Sequence, residues 1–130
     1  MMHMQDIEIA KKARFSAHVP QCQFQVGAAL RTKEGKIYSG CNIENHGIQG
    51  ICAERTAFAK ALSEGERNFE SITVVGASIG KEPLEECMPC GYCRQFMSEF
   101  VDENFKIYTI CNDTIKEYSI SELLPYSFKF

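Results

Sequence analysis

The sequence carries no excess of positive charge. Its 14 Lys and Arg stand against 17 Asp and Glu, for a net charge of −3, so it lacks the electrostatic footprint of a polyanion binder and nucleic acid is not expected as a partner. An apolar run is missing from the start as well. Residues 1–15 mix Asp6 and Glu8 with Lys11, Lys12 and Arg14, the composition of neither a signal peptide nor a membrane anchor. No membrane partner is expected, and a cytoplasmic location is. No internal repeat, low-complexity tract or Pro/Gly-rich linker divides the 130 residues, a length that suits one domain, residues 1–130, with a core of its own.

What is abundant is cysteine. The seven, Cys22, Cys41, Cys52, Cys87, Cys90, Cys93 and Cys111, are odd in number and come without a secretion signal, which disfavours a disulfide framework and favours metal binding. The informative ones fall in two pieces, Cys52-Ala53-Glu54-Arg55 and Pro89-Cys90-Gly91-Tyr92-Cys93-Arg94-Gln95. Thiolates from Cys52, Cys90 and Cys93 can hold one zinc ion, and three protein ligands leave the fourth tetrahedral position open, as in a catalytic site. Glu54, two residues after the first ligand, can carry a proton without ligating the metal. Three thiolates and one Zn²⁺ sum to −1, which weakens the ion as a Lewis acid. Arg55 is therefore expected beside the cluster, offsetting that charge together with backbone amide donors.

Residues 5–17 have helical spacing and end at Val19-Pro20. Phe24, Val26, Ala28 and Leu30 alternate with Gln25, Gly27, Ala29 and Arg31, which predicts a strand with one buried face. Residues 33–36 read as a hairpin turn and 37–41 as the returning strand. A polar, glycine-bearing loop, 42–50, runs into Cys52. A helix is predicted from Cys52 to about Glu64, with Ala53, Ala57, Phe58, Ala61 and Leu62 on one side and Gly65 as its stop. Residues 72–77 form an apolar run without alternation, a strand covered on both faces. Further elements are a loop at 78–88, a helix at 90–101, strands at 105–111 and 115–118, and a short helix capped by Ser119 and Glu122 and ending at Pro125. This order implies an α/β domain with a mixed sheet and two crossover helices on one side of it. Cys52 and Cys90 then begin two helices whose N-termini stabilise thiolates.

The same residues admit plainer readings. Cys87, Cys90 and Cys93 also suit a structural zinc knuckle with Cys87 as the fourth ligand, in an interaction module without catalysis. Arg55 fits a helix-surface charge, Phe24 a core position, and Asn42 and Glu44 a turn. His3, His18 and His46 read as surface residues, and Cys22, Cys41 and Cys111 as small buried apolar ones.

Cys52-Ala53-Glu54-Arg55-Thr56-Ala57 followed by Pro89-Cys90-Gly91-Tyr92-Cys93-Arg94-Gln95 resembles the signature of the small, free-nucleoside cytidine deaminases, part of the wider zinc deaminase group. The segments 24–29 and 40–45 and the ending Glu122-Leu123-Leu124-Pro125 are also similar to that family. The resemblance implies a three-layer α-β-α fold and deamination of cytidine or 2′-deoxycytidine in pyrimidine salvage. It makes Cys52, Cys90 and Cys93 the zinc ligands and Glu54 the proton shuttle. Asn42 and Glu44 would bind ribose hydroxyls, Phe24 would pack on the base, and the Ala53 backbone would orient it.

The segment 123–130 is strongly apolar and needs something to pack on. By the resemblance the chain forms a homotetramer in which Phe128 reaches into a neighbouring subunit's pocket. One departure stands out: the loop 46–51 is shorter than is usual and has no tyrosine. Blasticidin-type deaminases share the zinc motif and also differ there, which keeps another aminopyrimidine nucleoside open as substrate, whereas Glu44 favours a ribonucleoside.

Overall fold

The computed structural model describes residues 2–130. A first helix, α1 (Met2–Ala13), and one 3₁₀ turn (Arg14–Ser16) precede the hairpin β1 (Phe24–Thr32) and β2 (Ile37–Cys41). Then follow α2 (Ala53–Ser63), β3 (Phe69–Ser78), α3 (Gly91–Ser98), β4 (Lys106–Cys111), β5 (Thr114–Ser119) and α4 (Ile120–Leu123). The five strands form one mixed sheet in the order β2-β1-β3-β4-β5, with β3 and β4 parallel and the other neighbours antiparallel. The parallel pair is joined through α3, as a parallel pair requires of its connection.

Both crossover helices lie on one face of the sheet. Ala53, Ala57, Phe58 and Ala61 of α2 and Met97 of α3 pack with Ala28 and Leu30 of β1, Ile72 and Val74 of β3 and Ile107 of β4. Phe58 centres this core, its ring 5.0 Å from Phe69 and 6.2 to 6.3 Å from Phe96, Phe100 and Phe105. The alanines let α2 come close: a Cβ on Gly40 of β2 would lie 2.5 Å from the Ala53 carbonyl oxygen and 2.6 Å from the Ala57 nitrogen. That contact fixes where α2 begins.

The other face is also covered, which corrects the expectation of a half-buried β1. Ile7 and Ala10 of α1 pack with Ala29, Val75 and Ile110. Gly27 permits it, because a Cβ there would stand 2.0 Å from the Ala10 carbonyl oxygen. Arg31, at an expected outward position, is buried and paired with buried Asp6, Nε to Oδ2 at 3.1 Å and Nη2 to Oδ1 at 2.5 Å. Alternation along β1 thus reports two different buried faces, one of them carrying an ion pair. The three layers are α1, the sheet, and α2 with α3.

Element ends differ from expectation for identifiable reasons. α1 stops at Ala13 rather than Ala17, because Arg14 turns inward to donate to the carbonyls of Gln25, Ala77, Ser78 and Lys81. α3 stops at Ser98 rather than Val101, its end tightened by bonds from Glu99 N to Phe96 O and Phe100 N to Met97 O. The capping box is present, with Glu122 N donating to Ser119 Oγ and Ser119 N to Glu122 Oε1. No helix among the described residues is long and apolar enough to cross a membrane.

The Asp6–Arg31 pair gives a stability test. Asp6→Asn keeps the shape but strands the Arg31 charge under α1, so unfolding free energy measured by denaturant titration is expected to fall by about 3–5 kcal/mol. A loss well under 1 kcal/mol would show that water reaches Arg31.

Candidate active site

Cys52 is the N-cap of α2 and Cys90 the N-cap of α3, both with extended backbone and neither making a side-chain cap bond. Their sulfurs are free to face outward from the helix starts, where the first-turn amides concentrate partial positive charge. Cys93, one turn into α3, is buried. The Sγ atoms of Cys52, Cys90 and Cys93 lie within 4.8 Å of one another, those of Cys52 and Cys90 3.9 Å apart. A Zn–S distance of about 2.3 Å gives a tetrahedron edge of about 3.8 Å, so the three sulfurs fit zinc. Among the described residues this is the one group of three or more candidate metal ligands.

Cys87 stands apart from the group. Its sulfur packs near Gly76 and the Phe24 ring, and burial pushes its thiol up to about 12. This placement disfavours the closed four-cysteine knuckle and leaves the fourth direction without a sulfur.

A hydrogen bond from Cys93, then Arg55, hold Cys52 down to about 5, while the same Cys52 contact and burial drive Cys93 upward. Arg55 lies against the cluster, its Nη2 3.6 Å from Cys52 Sγ and its guanidinium 4.2 Å from the Tyr92 ring centroid. Glu54 is only 4% exposed, and that burial, with Cys52 next, raises it to about 7.

Beside the cluster, Gln21, Asn42, Glu44, Asn45, Cys52 and Arg55 line part of a cleft of about 290 Å³. Asn42 accepts from Val26 N at 2.9 Å and donates to Phe24 O at 2.9 Å, which leaves it one amide hydrogen and spare acceptor capacity. Glu44 accepts from Gln21 N at 2.8 Å and Cys22 N at 3.2 Å. The Cys22 contact first, then Gln21, hold it below the usual carboxylate range. The loop between them closes through reciprocal bonds of Ile43 and Ile51, and its tip exposes Ile48 almost completely.

The structure thus brings together Cys52, Cys90, Cys93, Glu54 and Arg55, with Asn42 and Glu44 on the adjoining cleft. Ala53 is the first residue of α2, next to the cluster in sequence. Phe24 lines a different cleft of about 360 Å³ with Gly76, Leu84 and Glu86, joined to the first through its carbonyl's bond to Asn42. Phe128 lies outside both, its carbonyl accepting from Gln95 and its ring 5.0 Å from that of Phe130. Tyr92 and the 21–22 backbone were not singled out from sequence. Tyr92's position between two candidate ligands was the available signal, whereas the backbone donors to Glu44 are a long-range contact with none.

Residues 2–109 match the cytidine and deoxycytidylate deaminase zinc-binding region. The chain belongs to the cytidine and deoxycytidylate deaminase family. It is 46% identical over 121 residues to a cytidine deaminase of Sporosarcina psychrophila, covering 92% of this chain and 85% of that one. It is 32% identical over 127 residues to a blasticidin-S deaminase of Bacillus cereus, covering 93% and 90%. The crystal structure of cytidine deaminase from Burkholderia pseudomallei is similar throughout, with a TM-score of 0.89, 39% identity and coverage of 98% of this chain and 100% of that one. As a deaminase-family member the chain is an α/β enzyme with a zinc-binding region, and the three-cysteine cluster lies inside that region.

Metal analysis checks the ligand set. The purified chain is expected to hold one zinc, and Cys90→Ala to lose most of it while keeping the far-ultraviolet dichroism of the parent, since Cys90 is exposed and outside the core. A Cys90→Ala protein with full zinc content would remove Cys90 from the ligand set.

Proposed function

We propose that the chain, read as one deaminase unit over residues 1–130, hydrolyses cytidine and 2′-deoxycytidine to uridine and 2′-deoxyuridine with release of ammonia. Pyrimidine salvage in the cytoplasm is the role this reaction suits. The observation that carries the reading is the enclosure of Glu54 one position inside a helix whose N-cap is the candidate ligand Cys52. A carboxyl group in that place is screened from solvent and close to the metal site without belonging to it.

Cys52, Cys90 and Cys93 would hold the ion, and zinc bound by them supplies the Lewis acidity that makes water a nucleophile near neutral pH. Glu54 takes a proton from the attacking water and passes it to N3 as oxygen bonds to C4. It then moves the remaining hydroxyl proton to the exocyclic nitrogen, and the C4–N bond breaks to give the carbonyl and ammonia. Arg55 offsets the negative charge of the three sulfurs, held beside Cys52 by the Tyr92 ring. Asn42 and Glu44 offer the spare amide hydrogen and carboxylate oxygens that ribose hydroxyls require, and the Phe24 ring and Ala53 backbone serve the base.

Glu54→Gln preserves shape and removes the proton carrier. Turnover followed by the absorbance change on cytidine is expected to fall by about 10²–10⁴-fold or more, with nucleoside binding by calorimetry retained. An active Glu54→Gln enzyme would mean that protons travel another way. Running the parent on cytidine, deoxycytidine and blasticidin S separates the nucleoside reading from the antibiotic one that the short 46–51 loop keeps open.

The same reading includes a homotetramer with shared sites. Tyr126 and Phe130 are fully exposed and Phe128 is 63% exposed, an aromatic patch that a neighbouring subunit can cover at a gain of roughly 1.5–3 kcal/mol per ring. Phe128 would reach the neighbour's base site. Sedimentation is expected at four times 14.7 kDa, and removal of residues 128–130 is expected to raise KM with zinc content unchanged. A fully active monomer would refute the shared site.

A further inference from the structure

Cys52 and Cys90 are placed by separate parts of the fold. Cys52 comes with α2, seated on β2 through Gly40, whereas Cys90 ends the connection 79–90, which has no helix or strand of its own. Their 3.9 Å sulfur separation therefore depends on how that connection is held. Hydrogen bonds to its carbonyls hold its middle and end, the Asn112 backbone N–H donating to Leu84 O at 2.7 Å and the Arg94 side chain donating through Nε to Pro89 O at 2.7 Å.

Between these points one side chain of the connection hydrogen-bonds to another element among the described residues. It is Glu86, whose Oε2 accepts from the buried Thr109 hydroxyl of β4 at 2.7 Å and from the Tyr118 hydroxyl of β5. Cys87, the next residue, is packed near Gly76 and against the main core. The two donors, Tyr118 first, hold Glu86 below the usual carboxylate range. At neutral pH both bonds are thus charge-assisted, about twice as strong as neutral ones.

We infer that Glu86 is a positioning residue for the metal ligands, tying the Cys90 segment to β4 and β5 so that Cys90 is preset opposite Cys52. Glu86 hydrogen-bonds to Thr109 and Tyr118 and to none of the three sulfurs. It acts by lowering the conformational freedom that metal binding would otherwise have to remove. The inference rests on the reading of Cys52, Cys90 and Cys93 as zinc ligands.

The test is zinc affinity. Zinc-stripped parent, Glu86→Gln, Glu86→Ala and Tyr118→Phe chains are titrated with zinc against a chromophoric chelator, and the thermal midpoint of each zinc-free form is measured alongside. Glu86→Ala is expected to bind zinc about 10–100-fold more weakly, as loss of a group that orients metal ligands typically does. Glu86→Gln keeps the acceptor oxygen and is expected to recover most of the affinity, and Tyr118→Phe, which removes one donor, to lie between parent and Glu86→Ala. A merely structural role would lower the zinc-free midpoint and leave the affinity unmoved. Parental affinity in Glu86→Ala, or in Tyr118→Phe should Glu86→Ala fail to fold, overturns the inference alone. A parent chain that binds no zinc overturns the ligand assignment and the inference with it.

Discussion

Three ionisable sulfurs within 4.8 Å of one another repel as thiolates unless positive charge is supplied, and the fold is arranged to supply it. Two helices begin at the same place, so their first-turn amides converge there, and Arg55 adds a full charge on one side. Both helices can do this because both cross the same face of the sheet, anchored by Phe58 and the alanines of α2 in one core. Metal binding completes the arrangement.

Burial then separates the roles of neighbouring carboxylates. Glu54 is enclosed and raised to about 7, suited to taking and giving a proton near neutral pH. Glu44 is half-buried, receives backbone N–H bonds and is held below the usual carboxylate range. Glu86 receives two hydroxyl bonds. One residue type thus differs in burial, charge and hydrogen bonding according to what surrounds it.

The grouping of Cys52, Cys90 and Cys93 at two helix starts, with Glu54 beside them, was legible in the sequence, because a thiol at a helix start and a carboxyl two residues on are local patterns. The hairpin and the Ser119–Glu122 cap were legible for the same reason. Arg31 and Arg14 were not. Arg31 reads as an outward-facing strand residue and Arg14 as one more position of a helix, and only the approach of α1 over Gly27 turns the first into a buried partner of Asp6 and the second into a clamp on four carbonyls. The joint placement of Phe24 with Gly76 and Cys87, away from the Asn42 and Glu44 cleft, is likewise a product of strand register.

By itself the sequence determined which groups stand at each of two helix starts, Cys52 with Glu54 and Arg55 at one and Cys90 with Cys93 at the other. Tertiary structure decided which of the remaining groups serve that chemistry. Cys87 is excluded from the cluster although it sits three residues from Cys90, Tyr92 is drawn to Arg55, and Glu86 reaches β4 and β5. The physical reason is that which groups stand at a helix start follows from local spacing, whereas exclusion, stacking and long-range hydrogen bonds depend on atoms brought together from distant parts of the chain by packing on a shared sheet.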